Sequence, residues 1–120
     1  MSKILLIDDD EDMLAMTTRW LEKAGYEVTK ASSGKAALEL LEGMTPDLIL
    51  LDYAMPEMDG KAVLKELRQS DKNKNIPVLY RTGMDDNAIE TDEASPRPDG
   101  IVPKSEGKNF LLKSITGILG

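Results

Sequence analysis

Three kinds of side chain in this sequence could do chemistry together, each closing a short apolar run. Asp8-Asp9-Asp10 follow Ile4-Leu5-Leu6-Ile7, and Asp52 follows Leu48-Ile49-Leu50-Leu51. Thr82-Gly83 end the run that starts at Ile76, and Pro103-Lys104 end the run that starts at Gly100. Carboxylates gathered in one place repel and cannot all stay ionised cheaply. A divalent cation resolves the conflict. Mg²⁺ takes octahedral oxygen ligands and keeps several waters. The side chains of Asp8, Asp9 and Asp52, with the backbone carbonyl of Ala54 just beyond, are therefore candidate metal ligands. A phosphoryl group would fit between such a metal, the Lys104 ammonium and the Thr82 hydroxyl. Phosphoryl transfer asks mostly for positioning and charge neutralisation. A carboxylate can serve as its nucleophile, giving an aspartyl phosphate, and Asp52 is the candidate.

Composition narrows the alternatives. There is no Cys and no His, which removes thiolate and imidazole chemistry and leaves hard cations on oxygen ligands. The net charge is −7, from 15 basic and 22 acidic residues. That disfavours nucleic acid and anionic membrane surfaces as direct partners. No apolar run approaches the ~20 residues of a membrane span, and the opening residues lack a signal-peptide pattern. A cytoplasmic location is expected. With 120 residues, a single domain over 1–120 is expected.

The elements that must position these groups can be read from periodicity. Lys3 to Ile7 reads as a buried strand. Glu11 to Ala24 reads as a helix carrying Leu14, Thr17, Thr18 and Leu21, with Gly25 placed as its terminating glycine. Tyr26 to Lys30 reads as a strand, and Ser33 to Gly43 as a helix with Ala36, Ala37, Leu40 and Leu41 inward. Asp47 to Asp52 contains the unbroken apolar run Leu48-Ile49-Leu50-Leu51, which suits a central parallel strand covered on both faces. Asp59 to Gln69 reads as a helix, Ile76 to Arg81 and Gly100 to Pro103 as strands, and Asn109 to Leu119 as a closing helix. Met84 to Asp99 is polar, acidic and rich in turn residues, so at most one or two helical turns, or a loop, are expected there. The alternation implies a parallel sheet with helices on both faces.

Along nearly its whole length the sequence resembles the receiver domain of bacterial response regulators. The resemblance rests on Lys3 through Asp10, Pro46 through Gly60, Ile76 through Gly83 and Gly100 through Lys104, above all on Asp52 followed by Met55-Pro56 and Met58-Asp59-Gly60. It implies a flavodoxin-like α/β fold with five parallel strands in order 2-1-3-4-5. It implies that Asp52 accepts phosphate from a sensor histidine kinase or a histidine phosphotransfer protein. Asp8 and Asp9 would hold Mg²⁺, Thr82 would sense the phosphoryl group and Lys104 would pair with it. Such a module, a monomer or weak dimer, would assist its own phosphorylation and dephosphorylation rather than act as an ordinary enzyme. It would signal by binding another protein through strand four, the loop after it, strand five and the last helix, or would act as a phosphate relay or sink between histidine proteins.

Several positions depart from the family pattern. Ser105 stands where a proline usually follows the lysine, so the Lys104–Ser105 bond is expected to be trans. Pro103 removes a backbone donor, which suits an edge strand. Ile101 replaces the usual signalling aromatic of strand five. Ala54 and Met84 cannot orient a water by hydrogen bonding, so slow loss of phosphate is expected. Arg81 is costly inside a covered strand; it is expected on a face left open by a short fourth helix, paired with Asp85, Asp86 or Glu90. Two rivals remain. A receiver-like module that works without phosphorylation would keep the fold. A hydrolase with an aspartyl intermediate would need a second Asp two residues after Asp52, where Ala54 stands.

Overall fold

The computed structural model describes residues 2–83 and 96–119. Strands β1 (Lys3–Ile7), β2 (Glu27–Ala31), β3 (Leu48–Asp52), β4 (Val78–Thr82) and β5 (Gly100–Pro103) form one parallel sheet in the order β2-β1-β3-β4-β5. Helices α1 (Glu11–Lys23), α2 (Gly34–Leu41), α3 (Gly60–Gln69) and α4 (Gly107–Leu119) cover it. One core lies between the sheet and α2 with α3, around Ile7, Ile49, Leu51, Tyr80, Val63 and Leu67. The other lies between the sheet and α1 with α4, around Leu6, Leu50, Leu79, Val102, Leu14 and Ile115. Alternate residues of each central strand feed opposite cores. That requirement explains why β3 is apolar from Leu48 to Leu51 without a break.

The helix ends follow from local chemistry. Asp10 caps α1 by accepting from the Asp12 and Met13 amides at 2.9 and 3.2 Å. Gly25, at φ +97°, turns the chain out of α1 into β2. Ser33 and Asp59 cap α2 and α3 in the same way, at 3.1 and 2.9 Å. Lys72 closes the other end of α2, donating to the Leu41 carbonyl at 2.7 Å.

Most differences from the periodicity reading are shifts of a residue or two at element ends. Leu40 is a larger one: it is exposed, and Leu38 packs inward instead. The buried stripe of α2 runs through Gly34, Ala37 and Leu41, so the helix is turned away from the face that Leu40 would need. Residue Leu40 thus has to be removed from the predicted core. β5 lies at one edge of the sheet, which accommodates Pro103. No cis peptide bond occurs among the described residues, so Lys104–Ser105 is trans, within a single 3₁₀ turn over Lys104–Glu106. The expectation of a short or disordered fourth helix falls on residues 84–95, outside the described residues.

An ordered clasp fixes where β5 begins. The Asp99 amide donates to the Val78 carbonyl at 2.8 Å, and the Asp99 carboxylate accepts from the Val78 amide at 2.8 Å. Arg68 of α3 adds its guanidinium to the same carboxylate at 3.2 Å.

Candidate functional site

In open parallel sheets a crevice forms at the carboxyl ends of the strands where the winding reverses. Here the reversal lies between β1 and β3, and both strands end there in aspartate. Asp8 and Asp52 are 1% and 3% exposed, whereas Asp9 is exposed. The three offer carboxylate oxygens that all lie within 4.8 Å of one another. Asp8 is held by the Asp10 amide at 3.0 Å, so the start of α1 positions it.

Asp52 is positioned from the far side by α3. The Gly60 amide donates to the Tyr53 carbonyl at 2.7 Å, drawing the helix start against the strand end. A Cβ on Gly60 would lie 2.8 Å from the Tyr53 Cα and 3.0 Å from the Asp52 carbonyl oxygen, so only glycine fits. Between them the loop turns tightly, with Glu57 at φ 65° and Met55 buried as an anchor. Ala54 lies in this loop, two residues past Asp52 and exposed.

A cation reaches the acids from β5. The Lys104 ammonium lies 3.1 Å from Asp8 Oδ2 and 3.4 Å from Asp52 Oδ2, bridging the two buried carboxylates. Thr82 is wholly buried at the end of β4, one residue after the partner of Asp52 in the register. Burial pushes the Asp52 carboxyl up to about 7, and the neighbouring Asp8 charge pushes the same way. Lys104 opposes both, while side-chain hydrogen bonds with Asp9 and Asp8 add to the rise. With Lys104 as its cationic neighbour and no metal ion, Asp52 is therefore near its midpoint at neutral pH. The donor set is all oxygen, from three convergent carboxylates. That fits a hard divalent cation such as Mg²⁺ and no soft metal.

The structure thus brings Asp8, Asp9, Asp52 and Lys104 together and sets Thr82 and Ala54 on the adjoining strand end and loop. It corrects the reading of Arg81. That side chain is 2% exposed and donates from Nη1 to Thr17 Oγ1 of α1 at 2.8 Å. It lies under α1, not on an open face beside β4, because it shares the strand parity of Leu79, which packs towards α1 and α4. Its expected partners Asp85, Asp86 and Glu90 fall outside the described residues. Strand parity was the available signal: Leu6–Asp8, Leu50–Asp52 and Leu79–Arg81 are equivalent steps. Thr17 was legible only as an inward residue of a helix. Tyr80, on the opposite face, meets Tyr53 edge to face at a centroid distance of 5.2 Å and pairs in register with Ile101.

A five-stranded sheet of this order with acids at the winding reversal and a lysine just after an edge strand defines a receiver-type fold. The family model of the response regulator receiver domain matches residues 4–116, and the chain belongs to that family. It is 36% identical to the response regulator receiver protein CpdR of Brucella abortus, over 99% of this chain and 98% of that protein. It is 31% identical to the protein PilH of Pseudomonas aeruginosa, over 99% of this chain and 98% of that one. A third relative, the alkaline phosphatase synthesis transcriptional regulatory protein PhoP of Bacillus subtilis, is 42% identical over 70% of this chain. The match spans 34% of PhoP's own length. Among solved structures, the response regulator TrrA of Thermotoga maritima, in complex with Mg²⁺ and BeF, superposes with a TM-score of 0.86 at 28% identity, over 98% of this chain and 99% of that one. No helix among the described residues is long and apolar enough to cross a membrane.

Proposed function

We propose that this protein is a single-domain response regulator whose Asp52 accepts a phosphoryl group from a phosphohistidine of a sensor kinase or phosphotransfer protein. The observation that carries this reading is the Lys104 ammonium bridging Asp8 and Asp52 beside the three-carboxylate cluster. Asp8, Asp9, Asp52 and the Ala54 carbonyl would hold Mg²⁺, which when bound neutralises charge on the carboxylates and on the incoming phosphoryl oxygens.

The chain's own residues do the rest. Burial at the end of β3 fixes the Asp52 carboxylate as the attacking group. One of its oxygens forms the new P–O bond while the P–N bond to the donor imidazole breaks, and the nitrogen leaves with that electron pair. Lys104, already at the carboxylates, supplies a fixed positive charge for the phosphoryl oxygens. The Thr82 hydroxyl, at the end of the neighbouring strand, supplies a hydrogen bond to them. The phosphorylated form then signals by binding another protein over β4, β5 and α4. A net charge of −7 argues against direct nucleic-acid contact.

The test is incubation with Mg²⁺ and acetyl phosphate followed by intact mass measurement. A phosphate adduct is expected in the wild type and absent in Asp52→Ala. No adduct in folded wild-type protein would instead favour an interaction module that works without phosphorylation.

A further inference from the structure

Arg81 heads the large side chains buried in the described residues, and among those residues the charges that act on it are Asp8 and Asp52 of the pocket. The register places it in a lateral row with the acids: Ile7 pairs with Leu51, so Asp8 and Asp52 follow in step, and Asp52 pairs with Arg81. These three residues have the same strand parity and share the α1 side of the sheet with Leu6, Leu50 and Leu79. Nη1 is tied to the neutral Thr17 hydroxyl at 2.8 Å, while buried Nε has no hydrogen-bond partner. Burial lowers the proton affinity of the guanidinium, and the charges of Asp8 and Asp52 hold it up. A buried cation whose hydrogen-bond partner among the described residues is a neutral hydroxyl is expensive unless nearby anions compensate it. The row supplies those anions.

We propose that Arg81 is an internal positioning cation of the phosphorylation pocket, leashed to α1 by Thr17, which weakens metal binding to the empty pocket and favours the phosphorylated form. The inference rests on the phosphoacceptor reading of Asp52. Its logic is the sign of the charges. An incoming divalent cation meets a pocket already partly neutralised from beneath, so it binds less tightly than the three carboxylates alone would allow. A phosphoryl group adds negative charge to the row and is drawn to the guanidinium. Charges on neighbouring strands lie roughly 5–8 Å apart, where one unit of charge shifts an equilibrium by about tenfold or more at a protein-like dielectric. The two pulls on Arg81 are opposite, and Thr17 passes the difference to α1. Trp20, the only tryptophan in the sequence, stands one helical turn after Thr17 and reports it.

The experiment titrates wild type, Arg81→Met, Arg81→Lys and Thr17→Val with Mg²⁺ alone by calorimetry, then with beryllofluoride at saturating Mg²⁺, while following Trp20 fluorescence. Arg81→Met is expected to bind Mg²⁺ at least tenfold more tightly and beryllofluoride at least threefold more weakly. Arg81→Lys, which keeps the charge, is expected to return both within about threefold of wild type. Thr17→Val frees the guanidinium towards the acids and is expected to weaken Mg²⁺ binding at least threefold and to abolish the Trp20 response to beryllofluoride. Folded Arg81→Met with wild-type Mg²⁺ affinity overturns the proposal. Should that variant not fold, unchanged Mg²⁺ affinity and Trp20 response in Thr17→Val overturn it instead. The two failures are distinguishable: failure of wild type to label with acetyl phosphate sinks the phosphoacceptor reading, whereas labelled wild type with unchanged Mg²⁺ affinity in Arg81→Met sinks the role of Arg81 alone.

Discussion

The two sides of the pocket are held in place by different means. On the β1–β3 side, backbone does the holding: the Asp10 amide fixes Asp8, and the Gly60 amide pins α3 against the strand that ends in Asp52. On the β4–β5 side, side-chain charges do it: Lys104 reaches across from an edge strand, and Arg81 reaches down to Thr17. Backbone anchors are short and cannot be retuned without moving an element. Charged side chains can be exchanged or re-aimed while the fold stays. Under the proposed function, metal and phosphate capture need invariant geometry, whereas transmission needs groups that respond to charge, so the division of labour would suit a switch.

That contrast can be broken from either side. The largest effect is expected from Asp52→Asn in protein kept metal-free with a chelator. Folding raises the Asp52 carboxyl from 3.8 to about 7. The contribution of this carboxyl to stability is therefore fully present below pH ~4 and is lost as pH rises through about 7. The asparagine variant escapes that loss. It should gain on wild type between these limits and remain roughly 2–4 kcal/mol more stable at pH 8, read by urea unfolding across pH. Equal stability at pH 8 would show that the cluster carries no such strain.

Next comes Lys104→Met, which keeps the packing stem and removes the shared cation. Labelling of Asp52 by acetyl phosphate should slow about 100-fold, the usual effect of losing one preorganised charge. A rate within a factor of three of wild type would assign that duty elsewhere. Gly60→Ala attacks the backbone-held side. The new methyl meets strand backbone that cannot yield, so a loss of ~1–3 kcal/mol is expected, together with weaker Mg²⁺ binding as the Asp52 strand end shifts. The smallest effect belongs to Asp10→Ala. It removes the cap of α1 and should cost ~1 kcal/mol by thermal unfolding.

The sequence carried the β1–β3 side almost in full, because its chemistry is local. Three acids directly after an apolar run, and an aspartate seven residues before Asp59-Gly60, locate a strand end and a helix start together. Lys104 was legible as a strand-end residue, but its simultaneous reach to Asp8 and Asp52 depends on the packing of α4 and the trans turn after it. Arg81 was misplaced because its cost was judged on the strand alone. A buried charge is settled by what lies beneath it, and that required knowing which face α1 covers. The Leu40 error has the same origin: a helix presents two plausible stripes, and only the sheet decides which one is buried.

The clasp at Asp99 has a consequence for the placing of Lys104. Two backbone–carboxylate and amide–carbonyl bonds to Val78, with Arg68 as a brace, set the start of β5 from within the sheet itself. The strand that delivers Lys104 therefore takes its start from bonds made inside the sheet. A substitution at Asp99 or Arg68 would thus be felt at Lys104, through the start of the strand that delivers it, and not at the acids that end β1 and β3.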